Sequence, residues 1–142
     1  MTTKTTSNPG LKHGFRSGLE DEIAAELVEV GVPVIFEEHF IEYEVPARKS
    51  RYTPDFLLPD GSYVETKGRF VTADRQKHLL LKAQHPHLKI RFLFNNPNAR
   101  ISKASRTTYA MWCDKHGFEY AKAATKAQRR KGARSIPKEW IE

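Results

Sequence analysis

The chain has 142 residues, 39% of them hydrophobic and 29% charged, with 24 Lys and Arg against 17 Asp and Glu for a formal charge of +7. That balance predicts one soluble domain with enough apolar mass for a core, and excludes a disordered or collagen-like chain. No apolar run approaches the roughly 18 residues of a membrane span, the opening MTTKTTSNPG lacks a secretory signal's apolar stretch, and Cys113 is a lone cysteine, so an intracellular protein without disulfides, structural zinc or a membrane partner is expected.

Residues 1–14, almost without apolar content, read as a flexible basic arm ahead of a single domain at 15–142. Ser17-Gly18-Leu19-Glu20 fits a capping box, and Leu19, Ile23, Leu27 and Val30 then recur at helical spacing until Gly31. Val32 to Phe36 and Phe40 to Val45 are predicted strands, the second alternating Ile41, Tyr43, Val45 against Phe40, Glu42, Glu44. Pro46 to Arg51, polar and basic, reads as an internal linker. Thr53 to Leu58 and Ser62 to Lys67 are predicted to form a hairpin around Pro59-Asp60-Gly61, with glycine where a left-handed conformation is needed. A helix over about 73–84, a strand over 89–94, a helix capped by Ser105 and ended at Gly117, and a short strand at 118–120 complete the order, before a basic tail and Ile136-Pro137-Lys138-Glu139-Trp140.

Charge is unevenly spread. Leu19 to Glu44 holds nine acids and no Lys or Arg, so the rest of the chain carries more than the whole net charge; Lys122 to Arg134 alone has six basic residues and no acid. Such a surplus fits a polyanion binder, nucleic acid first, or a surface kept basic for solubility.

Chemistry favours the former. Around a Pro59-Asp60-Gly61 loop, Phe56 faces Val64 and Asp55 faces Glu65, with Leu57, Tyr63 and Lys67 expected on the face of the two acids and Phe56, Leu58, Val64 and Thr66 on the core face. Opposed like charges destabilise a sheet unless a cation lies between them, and an all-oxygen site suits Mg²⁺ or Mn²⁺. A cation held by Asp55 and Glu65, with Lys67 alongside, is the apparatus of phosphodiester hydrolysis. The alternative is a plain surface ion pair. Glu20 by spacing is a capping residue, and Glu37, Glu38, Glu42 and Glu44 read as a solvated strand face.

Pro54-Asp55, nine residues, then Glu65-Thr66-Lys67 resembles the PD-(D/E)XK signature of the restriction-endonuclease-like superfamily. The blocks Phe15 to Asp21, Tyr52 to Pro59, Val64 to Gly68, Lys77 to Leu80, Gln84 to Pro86 and Ile136 to Ile141 closely resemble endonuclease I of the T-seven-like phages. The resemblance implies an α/β fold, a restriction-endonuclease-like mixed sheet flanked by helices, in an intertwined homodimer that exchanges strands through a bridging segment near 45–51. It implies a crossover junction endodeoxyribonuclease that resolves Holliday junctions and other branched DNA by paired nicks in the cytoplasm of a bacterial host. Asp55, Glu65, the Thr66 carbonyl and Glu20, the last from the partner chain, would bind two Mg²⁺ or Mn²⁺ ions per site, with Lys67 the catalytic lysine and no small-molecule cofactor. Phosphate contacts would come from Arg16, Lys49, Arg51, Arg69, Lys77 and the basic insertion near 121–135, including Arg129, Arg130 and Lys131. Two departures stand out: Ile35 replaces a functional glutamate of the family, with Glu37 or Glu38 as substitutes, and the basic extension beyond the final Trp motif is missing. The rival functions are a restriction or repair nuclease acting on duplex, and a non-catalytic nucleic-acid-binding protein.

Overall fold

The computed structural model describes residues 17–45 and 47–142. The expected arm, Arg16 and Pro46 lie outside them. The order is α1 (Gly18–Glu29), β1 (Ile41–Val45), β2 (Arg48–Tyr52), β3 (Phe56–Leu57), β4 (Tyr63–Lys67), α2 (Thr72–Gln84), β5 (Ile90–Phe94), α3 (Tyr109–His116), β6 (Glu119–Lys122), α4 (Lys126–Arg130) and a 3-10 turn at Lys138–Trp140. Strands β3-β4-β5-β6 form a mixed sheet, antiparallel between β3 and β4 and parallel thereafter, while β1 and β2 make a separate antiparallel pair. Among the described residues no helix is long and apolar enough to cross a membrane.

Local chemistry sets the boundaries. Ser17 Oγ accepts the Glu20 N–H at 3.1 Å to start α1, and Gly31, at φ 79°, ends it by entering the left-handed region. The third helix starts later than expected because Thr108, rather than Ser105, caps it, accepting from the Met111 N–H. Two strand expectations are corrected. Residues 32–35 are irregular, with only an isolated bridge from Phe36 to Phe56, because the chain there runs past the end of the short β3. The expected linker is mostly strand: Arg48 to Arg51 pair with β1, Lys49 standing opposite Glu44 and Arg51 opposite Glu42 across the ladder.

Both sheet faces are covered, which is why all five residues of the central strand β5 are buried. On one face Phe56, Leu58, Val64 and Leu93 pack with Ile23, Ala24 and Leu27 of α1 and with Ile136 and Trp140. On the other, Phe92 and Phe94 pack with Phe70, Leu81, Tyr109, Trp112 and Phe118, and Tyr43 and Tyr52 of the β1-β2 pair join them. The pair is fastened to the end of α2: Gln84 bonds both the N–H and the carbonyl of Glu44, at 2.6 and 2.7 Å. Each buried aliphatic or aromatic side chain contributes about 1.5–3 kcal/mol, so α1 is held to the sheet by Ile23 and Leu27, both fully buried.

Candidate active site

The β3-β4 register is Phe56 with Val64 and Leu57 with Tyr63, as the loop length predicts. Leu58 N–H donates to Ser62 O at 2.8 Å, and Gly61, at φ 87°, supplies the left-handed residue of the turn.

Asp55 stands just before this ladder begins, so the pleat does not dictate where its side chain points. Its Oδ2 accepts both the backbone N–H of Thr66, at 2.9 Å, and the Thr66 hydroxyl, at 2.8 Å. Thr66 shares with Val64 the face covered by α1. Glu65 projects to the other face, where Tyr52 donates its hydroxyl to Oε1 at 2.6 Å. Asp55 thus reaches the β4 backbone at Thr66, near enough to Glu65 for the charge of Glu65 to act on it.

Asp55 also has acidic company in Glu20 and Glu37. One oxygen from each of these three lies within 4.8 Å of the others. Packing of α1 on the sheet brings Glu20 there from the helix's first turn, and Glu37 is delivered by backbone: its N–H donates to the Asp55 carbonyl at 3.2 Å, beside the Phe36-Phe56 bridge. Glu37 holds φ at 52°, a left-handed conformation unusual for glutamate. Sequence spacing placed Glu37 on a solvated face, and only the missing family glutamate at Ile35 hinted at it.

Burial, then the charge of Glu65, and also that of Glu20, push the Asp55 carboxyl well above its usual range, against the two donors of Thr66. Burial likewise raises Glu65, opposed by Lys67 and by the Tyr52 hydroxyl. Lys67 Nζ lies 3.5 Å from Glu65 Oε2 and 3.3 Å from Asp74 Oδ1. Burial alone would lower its pKa, but Glu65, Asp74 and Asp55 together raise it, so Lys67 stays an ammonium. Sequence reasoning missed Asp74 and Tyr52; the one signal was an acid in the first turn of α2, whereas Tyr52 follows a polar run, RKSR, with no period to mark it.

The expected phosphate contacts are unequal. Lys49 and Arg51 stand across the ladder from Glu44 and Glu42, and the Arg51 guanidinium covers the Phe40 ring at 4.5 Å. Lys77 Nζ is 3.9 Å from Asp74. Arg129 is paired with Glu22, and Arg134 with Glu29 at 3.3 Å, so part of the basic insertion is spent on the acidic side of α1. Arg69, Arg130 and Lys131 are exposed.

The chain as a whole is similar to known proteins. The phage endonuclease I family model matches residues 1–142. The chain is 43% identical over 127 residues to Endonuclease I of Escherichia phage T7, covering 89% of this chain and 78% of that protein. It is 46% identical over 107 residues to Endodeoxyribonuclease 1 of Enterobacteria phage T3, covering 75% of this chain and 70% of that one. With a match along its whole length and such identity to two relatives, the chain belongs to the phage endonuclease I family.

Proposed function

We propose that this chain is a cation-dependent DNA endonuclease that resolves four-way junctions and other branched DNA by paired nicks, acting as a homodimer in the host cytoplasm. The observation that carries the reading is the convergence of Glu20, Glu37 and Asp55 within 4.8 Å, next to Glu65 and Lys67 on β4. Three carboxylates so close, with Glu20 and Asp55 buried and Asp55 raised by burial and then by the charges of Glu65 and Glu20, form a hard-oxygen set that fits Mg²⁺ or Mn²⁺. Glu20, Glu37, Asp55, Glu65 and the Thr66 carbonyl would hold two such ions, which when bound acidify water and neutralise charge on a phosphate. Thr66 fixes one Asp55 oxygen, and Lys67, kept charged by Glu65 and Asp74, offers a fixed positive charge where the phosphate oxygens gain negative charge. As an ammonium it orients and stabilises and does not abstract a proton.

A symmetric dimer suits paired incisions, and one backbone feature supports exchange between its chains. Val45 pairs with Arg48 where β1 passes into β2, and Ala47 there sits at φ 81°. A left-handed non-glycine residue costs roughly 1–2 kcal/mol, and a short strained hinge favours strand swapping. Opening it would carry Glu20 and Glu37 to a partner while leaving Asp55, Glu65 and Lys67 behind. Within one chain these groups already meet, so exchange would rebuild the same site from two chains.

The test is nicking of a four-way junction against a linear duplex of the same sequence, with and without Mg²⁺. Cleavage of the junction alone, only with Mg²⁺, is expected. Equal cleavage of the duplex would point to a restriction or repair nuclease, and junction binding without cleavage to a non-catalytic binding protein.

A further inference from the structure

Tyr52 ends β2 and is 2% exposed, yet its hydroxyl reaches across to donate to Glu65 Oε1 at 2.6 Å. The ring is fixed from two sides: the His78 ring stands edge-on at 5.1 Å, and Lys77 Nζ lies 5.4 Å from its centroid. A buried phenol so enclosed cannot readily trade its acceptor for water. The bond also divides the labour of the carboxylate, since Oε1 takes the phenol while Oε2 is the oxygen 3.5 Å from Lys67 Nζ.

Resting on the reading of Glu65 as a cation ligand, we propose that Tyr52 is a positioning residue: its hydroxyl locks the Glu65 side chain so that Oε2 is the oxygen presented to the cation and to Lys67. A carboxylate with one oxygen committed offers the other in a fixed direction. Released, Glu65 could turn both oxygens toward Lys67 or rotate between them, and the ligand would no longer be set in advance of binding. Tyr52 and Glu65 lie on the same side of the Ala47 turn, so the support stays within one chain whether or not strands are exchanged.

The experiment is a calorimetric titration of the full-length, metal-free protein with Mn²⁺, comparing wild type, Tyr52→Phe, Glu65→Gln and the double variant. Loss of a group that orients a metal ligand costs about 10- to 100-fold in metal affinity. Tyr52→Phe keeps the ring against His78 and should bind Mn²⁺ at least about tenfold more weakly, while DNA affinity without metal is unchanged and raising Mn²⁺ restores nicking. If Tyr52 acts through Glu65, the double variant is no weaker than Glu65→Gln alone. Unchanged Mn²⁺ affinity in Tyr52→Phe, or losses that simply add, would overturn the proposal. Tyr52→Met carries the same expectation should the Phe variant not fold. If Glu65→Gln itself leaves Mn²⁺ binding intact, the failure belongs to the reading of the site and not to Tyr52 alone.

Discussion

Thr66 gives two hydrogen bonds to a single oxygen of Asp55, from its backbone N–H at 2.9 Å and its hydroxyl at 2.8 Å. The other carboxylate oxygen takes no part in this clamp. Asp55 is thus held rigidly in a place where its charge is unwelcome, 4% exposed and close to Glu20, Glu37 and Glu65.

The first prediction concerns that strain. Because the Asp55 pKa is raised in the fold, by burial first and by Glu65 next, the native state holds a proton over a pH range where the unfolded chain has lost it. Metal-free stability therefore falls as pH rises from the ordinary carboxylate pKa to the raised native one, and stays low above it. Asp55→Asn retains an acceptor for Thr66 and removes the charge. It should raise the thermal midpoint of the metal-free protein at neutral pH by a few degrees, an effect of about 1 kcal/mol, while abolishing nicking. A lower midpoint at neutral pH, in a variant that still folds, would contradict the electrostatic account.

The hairpin around Asp60-Gly61 was legible because loop length fixes register and glycine marks the left-handed residue. The core alternation of Tyr43 against Glu42 and Glu44 was legible for the same reason, a period of two. What stayed hidden lay outside any period. Asp55 precedes the ladder, Glu37 reaches the site through a left-handed backbone that its residue type disfavours, and the Tyr52-Glu65 bond joins elements thirteen residues apart. The arrangement of β2 was missed because its sequence, Arg48-Lys49-Ser50-Arg51, has no apolar face, and only Lys49 and Arg51 meet opposite charge, at Glu44 and Glu42 of β1.

Glu37 and Glu38 are adjacent and chemically alike, which makes them a sharp pair. Glu37 lies in the acid cluster, whereas Glu38 is exposed and outside it. Glu37→Gln should lower junction nicking by about 10- to 100-fold, the usual cost of disturbing a metal site, and Glu38→Gln should leave it within about twofold. Equal effects, measured as single-turnover rates at fixed Mg²⁺, would remove Glu37 from the site.

The basic residues should separate by what already neutralises them. Arg129 is tied to Glu22, so Arg129→Ala is expected to loosen the brace on α1 and cost about 1 kcal/mol of stability, with little change in how DNA affinity depends on salt. Arg69→Ala, Arg130→Ala and Lys131→Ala should each reduce the slope of log affinity against log salt by about 1. Binding of a junction across a salt series, in EDTA to prevent cleavage, reads this directly. Identical slopes for wild type and all three variants would move the DNA path elsewhere.

His78 is fully buried, and among the described residues neither ring nitrogen has a hydrogen-bond partner. Tyr52, Phe70, Phe92 and Phe118 surround it. Burial, then Lys77 and Lys67, push its pKa well below the usual histidine value. A lowered native pKa means that the unfolded chain binds the proton first, so stability is fully present above the ordinary pKa of about 6.5 and is lost as pH falls below it. His78→Leu keeps the volume without the titration. It should match wild type within about 1 kcal/mol at pH 7 and exceed it at pH 5, so the two denaturation curves separate only on the acid side. Parallel curves at both pH values would mean that the ring is not neutral in the fold.

The last prediction asks whose Glu20 serves whose Asp55. Within one chain the two meet, and the strained Ala47 turn between β1 and β2 is the place where that arrangement can open. Mixed dimers of Glu20→Gln and Asp55→Asn chains separate the cases. In an unexchanged dimer every site carries one substitution and no nicking is expected. In an exchanged dimer, one site receives both intact groups and the other receives both substitutions. Random mixing then restores about a quarter of the wild-type sites, since about half the dimers are mixed and each has one working site of two. The strain argument adds a directional check. Ala47→Gly relieves the left-handed residue, lowers the free energy of the closed hairpin, and should increase the monomer fraction in sedimentation at low protein concentration. If Ala47→Gly leaves the monomer–dimer balance unchanged while the mixed chains recover activity, exchange stands but its driving force lies elsewhere than in this turn.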